Sequence, residues 1–147
     1  MLYAGTNSPL PRMEWKREAP DLCVNALNEL DATIASHFTL PEVQNLGSTS
    51  GCGCDFPHVT LTRGEWVGYV DVEVNDPELE ASDRFNREAL VTLLKKSGES
   101  MVELYGVWLD NDMPLSKPVN YREEISVSQI LEPTFCFKER GFYRVIL

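Results

Sequence analysis

PDLCVNALNELDATIASHFTLP, residues 20–41, carries Cys23, Leu27, Leu30, Ile34 and Phe38 at intervals of four, three, four and four. That is a single apolar stripe at helical period. Pro20 and Asp21 suit a first turn, and Pro41 supplies a stop. The stretch is therefore expected to be the first helix, and everything after it is placed relative to that helix.

Working outward, GSTSGCGCDFPH (47–58) is a glycine-bent connection. HVTLTRGEWVGYVDVEV (58–74) predicts a hairpin with arms His58–Thr62 and Glu65–Val74 about an Arg63-Gly64 turn. On its second arm Trp66, Val70, Val72 and Val74 share one face, with Tyr69, Asp71 and Glu73 on the other. NDPELEASDRFNREALVTLLKKSGE (75–99) predicts a second helix, with Phe85, Ala89, Leu90, Leu93 and Leu94 buried. Acids at its start and Lys95-Lys96 before Gly98 complement the helix dipole and the C-terminal cap. Strands are expected over 101–109, from Tyr121 with a short turn at Ser128–Leu131, and on both sides of Glu139-Arg140-Gly141. Asp110-Asn111-Asp112 and the prolines at 114 and 118 mark the intervening loop. The expected fold is α+β in the order α-β-β-α-β-β-β, a mainly antiparallel five-stranded sheet with two helices packed on one face. A crossover of the second helix between parallel strands is the alternative.

The chain of 147 residues has the length of one domain, 1–147, in which 1–20 is expected as an ordered, irregular N-terminal arm. With 13 Lys and Arg against 23 Asp and Glu the net charge is −10. Such a surface repels phosphate backbones and anionic membranes, so neither nucleic acid nor membrane is an expected partner. Another protein or a cationic peptide is allowed. The first twenty residues lack the basic start and apolar run of a secretory signal, and no window is long and apolar enough to span a bilayer. A cytoplasmic location with four reduced cysteines is expected from this.

Within 47–58, three familiar motifs fail. A phosphate-binding P-loop would need Gly, Lys and Ser or Thr where Cys52, Gly53 and Cys54 stand. The hydrolase elbow would need serine at Thr49. A dinucleotide fingerprint would need a strand before the loop and a helix after it. What remains is chemistry at Cys52, Cys54 and His58. These three are candidate ligands for zinc or copper, with Asp55 or Cys136 as a fourth. They are equally candidates for a redox thiol pair, with His58 activating Cys54 and the second cysteine resolving an oxidised one. The packing alternative makes the cysteines small hydrophobes and gives Gly47, Gly51 and Gly53 positive φ angles. Cys23 on the stripe and Cys136 between Phe135 and Phe137 suit packing, and His37 suits a partly exposed edge.

The acids at 71, 73, 76, 78, 80 and 83 lack the spacing and central glycine of a calcium loop. Tyr69, Tyr105, Trp108, Tyr121, Phe142 and Tyr143 make the strands aromatic-rich, suited to cross-strand packing or to an exposed ligand platform. With no complete catalytic constellation, the expectation is a non-enzymatic interaction or accessory module using a sheet face or the acidic edge. No resident cofactor is expected, and the thiol or metal site is the competing reading.

Overall fold

A computed structural model describes residues 1–29, 31–68, 76–108 and 118–147. They form two sheets, one long helix and two short 3-10 turns. In chain order the strands are β1 (Leu2–Thr6), β2 (Cys23–Ala26), β3 (Glu42–Gly47), β4 (His58–Thr62), β5 (Glu65–Gly68), β6 (Met101–Gly106), β7 (Tyr121–Ser126), β8 (Phe137–Lys138) and β9 (Gly141–Ile146). The helix α1 is Pro77–Lys96, and the 3-10 turns are Ala32–His37 and Val127–Leu131.

This corrects the expected five-stranded antiparallel sheet with two helices. The large sheet has six strands in the order β2-β3-β1-β6-β9-β7, and the small one has three in the order β5-β4-β8. Both are mixed, because β7 runs parallel to β9 and β8 runs parallel to β4.

The first expected helix is absent. Cys23 and Val24 instead pair with β3, and Met13 bridges to Val24 on the other side. Leu27 and Phe38 pack with buried Ile34 against Tyr3, Tyr105 and Phe142, so the apolarity of the stripe is real but is used by an irregular segment. Leu30 lies outside the described residues. The polar residues between explain the choice: Asn28 Oδ1 accepts the Asp31 N–H at 3.0 Å, and Asp31 Oδ1 accepts the Tyr3 hydroxyl at 3.1 Å. Short polar side chains that capture local backbone and ring donors compete with helical hydrogen bonding, and β-branched Val24, Thr33 and Ile34 add little to resist them.

The expected irregular arm contains β1, which lies inside the large sheet between β3 and β6. All five of its residues are buried, and its two faces enter different cores. Leu2 and Ala4 join Leu46, Val102, Leu104, Val145 and the Leu90 and Leu94 face of α1. Tyr3 points the other way, into the cluster with Leu27, Ile34 and Phe38. A strand covered on both faces shows no alternation of polarity, which is why its period cannot be read.

Elements set by local chemistry match expectation. Asp76 caps α1 by accepting the N–H groups of Glu78 and Leu79 at 3.0 and 3.3 Å. One member of its expected buried face fails: Phe85 is 51% exposed, and Asn86, Arg87 and Val91 are buried instead. The hairpin turn has φ 53° at Arg63 and 86° at Gly64, the two left-handed residues of a tight right-twisted hairpin. Three expectations lie outside the described residues: 69–74 of the second hairpin arm, with the acids Asp71 and Glu73, the end of the strand at Leu109, and the Asp110-Asn111-Asp112 loop.

Candidate functional site

Residues 48–57 join β3 of the large sheet to β4 of the small one. The turn is held by its own backbone: Gly51 N–H donates to Ser48 O at 2.9 Å, and Ser48 N–H to Cys52 O at 3.0 Å. Asp55 Oδ2 accepts both serine hydroxyls, from Ser48 at 2.9 Å and from Ser50. On one side, Asn86 of α1 accepts the Thr49 N–H and hydroxyl at 3.0 and 2.8 Å. On another, Trp15 Nε1 donates to Thr49 O at 2.8 Å.

The glycines serve two purposes. Of the three in this loop only Gly51 has a positive φ, at 86°. Gly53 is there for space. A Cβ on it would come within 2.8 Å of Leu46 O and 3.0 Å of Met1 Cα. Gly47 is likewise pressed against the Cys23 sulfur. The expectation of left-handed geometry at Gly47 and Gly53 is thereby corrected to one of close approach.

With Gly53 buried against backbone, its neighbours point outward. Cys52 and Cys54 are exposed, and their sulfurs are joined in a disulfide. The Cys54 N–H donates to Cys52 Sγ at 3.3 Å, and the Cys52 N–H to Ser50 Oγ at 3.4 Å. Two of the four cysteines are thus bridged rather than reduced. Cys23 and Cys136 are free thiols. Cys23 is buried in β2, with its sulfur 4.0 Å from Gly51 O. Burial pushes the Cys136 thiol pKa up, and Arg87 opposes that shift.

His58 is not part of this group in the way the sequence suggests. Its ring is buried and stacks on Trp108, with centroids 4.2 Å apart and planes 3° from parallel. Nδ1 lies 3.0 Å from Phe56 O. Burial lowers its pKa, with the Phe56 hydrogen bond acting in the opposite sense. Among the described residues no group of three or more His, Cys, Asp or Glu side chains could hold a metal ion, so the zinc or copper set at Cys52, Cys54 and His58 is not assembled. Asp55 is occupied by the serines, and Cys136 lies by Arg87 and Asp83. His37 is half-buried against Tyr105 at 4.9 Å.

Sequence reasoning missed Ser48, Ser50 and Asp55 as a clamp, although serine and aspartate a few residues apart in a glycine-rich turn are the residues that bond locally. Asn86 and Trp15 had no signal, because both act across the fold. Elsewhere, on β7 and β9, Arg122, Glu123, Glu124, Phe142 and Arg144 line an open groove of about 280 Å³. Two cations against two carboxylates give it no net charge to recruit an ion.

Comparison with family models, with curated proteins and with solved structures finds no match to this chain. No helix among the described residues is long and apolar enough to cross a membrane.

Proposed function

We propose that Cys52-Gly53-Cys54 is a thiol–disulfide exchange centre that accepts two electrons from a thiol substrate. The observation that carries this reading is the pairing of the two sulfurs across a single glycine on an exposed turn. A bridge in solvent is open to attack, and accessible bridges are the labile ones. The clamp on Asp55 and the seating of Gly53 hold the turn in place while the bond opens and closes.

The surroundings are asymmetric. Cys52 sulfur receives a peptide N–H, which stabilises the thiolate it becomes as a leaving group. Cys54 is followed by the Asp55 carboxylate, which disfavours a second negative charge. A substrate thiolate therefore attacks Cys54 Sγ, forming a mixed disulfide and expelling the Cys52 thiolate. A second substrate thiolate then attacks the substrate sulfur and releases Cys54. The net change is two thiols to one disulfide in the substrate and one disulfide to two thiols in the protein.

Trapping tests this directly. In a Cys52→Ser variant, Cys54 should form a stable mixed disulfide with glutathione disulfide, seen by intact mass. In Cys54→Ser the adduct at Cys52 should form faster at neutral pH, because more of that sulfur is thiolate. Wild-type protein equilibrated with dithiothreitol and then alkylated should gain labels at Cys52 and Cys54. A bridge that stays closed under dithiothreitol in the folded protein removes the proposal.

The second reading, an interaction module, is favoured by a different observation. Leu61 and Trp66 stand opposite each other on β4 and β5 and are exposed, and Val67 is exposed on the other face of the hairpin. That hairpin is an apolar surface suited to a protein partner.

A further inference from the structure

Away from the disulfide, two aromatic rings from different sheets face a single lysine. Trp66 on the edge strand β5 and Tyr121 at the start of β7 have centroids 6.4 Å apart and planes at 75°. Lys138 of β8 places Nζ 3.4 Å from the Tyr121 centroid and 5.6 Å from that of Trp66. The Tyr121 hydroxyl donates to Glu123 Oε2 at 2.8 Å, which adds electron density to the ring that carries most of the contact. Among the described residues no carboxylate forms an ion pair with this ammonium. In a chain with 23 Asp and Glu, a lysine held by two π faces marks a site that prefers a cation with an apolar shell.

We propose that Trp66 and Tyr121 form a binding site for the ammonium group of a lysine, plain or N-methylated, presented by a basic peptide, and that Lys138 is its intramolecular occupant. Lys138 hangs on a flexible stem, and leaving the rings breaks no hydrogen bond of its ammonium recorded among the described residues. Leu61 lies directly across from Trp66 and is 40% exposed, so apolar surface is ready for the stem of an incoming lysine. The net charge of −10 draws basic peptides toward the surface. An aromatic pair around an alkylammonium is the chemistry that reads such a group, because the attraction comes from ring quadrupoles rather than from a counter-ion.

The test uses the full chain and follows the Trp66 indole resonance, assigned with a Trp66→Phe variant. The probes are N-acetyl-trimethyllysine amide, its plain lysine counterpart, choline and the neutral N-acetyl-norleucine amide. Both lysine probes should shift the Trp66 signal, and Lys138→Ala should bind them roughly ten-fold more tightly because the competitor is gone. Lys138→Met, which keeps the length of the stem and loses the charge, should behave alike and guards against a folding defect in the first variant. Equal response to the norleucine amide overturns the cation assignment. Choline bound as tightly as the lysine probes overturns the peptide source in favour of a free quaternary ammonium. No shift in either Lys138 variant overturns the site altogether.

Discussion

The two sheets use their residues in opposite ways. In the large sheet β1 is buried along its whole length, with helix α1 under one face and Leu27, Ile34 and Phe38 over the other. In the small sheet all four residues of β5 are exposed, Trp66 and Val67 among them. Stability is concentrated where both faces are covered. The groups proposed to react and to recognise are carried where they are not: the bridged turn joins the two sheets, and the Trp66–Tyr121–Lys138 cluster spans them.

The largest effect that would test this contrast comes from one truncation in each sheet. Leu104→Ala, at 0% exposure between the core strands, should cost about 2–5 kcal/mol of unfolding free energy in urea titrations. Val67→Ala, at 47% exposure, should stay within about 0.5 kcal/mol. Equal costs would break the division between a stabilising and a presenting sheet.

A smaller effect tests the junction. Gly53→Ala forces a Cβ to within 2.8 Å of the Leu46 carbonyl, and neither backbone can yield cheaply. A loss of about 1–3 kcal/mol is expected, together with faster reduction of the Cys52–Cys54 bridge as the turn lifts. An unchanged reduction rate would show that the turn's seating does not govern the chemistry.

The smallest effect is electrostatic. Burial raises the Asp83 pKa above its ordinary 3.8, Arg87 opposes the shift, and Asp55 adds to it. The folded state then binds the proton more tightly than the unfolded state. This group's contribution therefore favours folding at low pH and is lost as pH rises from 3.8 through the raised value. Asp83→Asn should remove that part of the pH dependence and leave the variant slightly more stable than wild type at neutral pH. A variant less stable at neutral pH would mean that the Arg87 interaction outweighs burial.

What the sequence makes legible follows the range of the forces. The Asp76 cap, the Lys95-Lys96 end of α1 and the Arg63-Gly64 turn depend on neighbours within a few residues, and each can be read directly. β1 cannot, because a strand covered on both faces needs no alternation and Gly5 is there for the Phe38 ring rather than for a turn. The stripe at residues 20–41 records burial correctly and geometry wrongly. At the candidate site, C-x-C spacing points to the turn that carries the disulfide, whereas sequence distance alone assigns His58 to Cys54. The actual stacking partner of His58, Trp108, lies fifty positions further along the chain and is brought in only by the fold.

The placement of β1 also governs the order in which the molecule can be assembled. Leu2 stands opposite Gly106, and Gly5 opposite Glu103. During synthesis the first strand emerges with one partner, β3, about forty residues behind it, and must wait for about a hundred residues before β6 can close its second edge. Until then a largely apolar segment has an open flank. This late, non-local closure raises the contact order of the fold, which favours slower folding than a chain of local pairings would show.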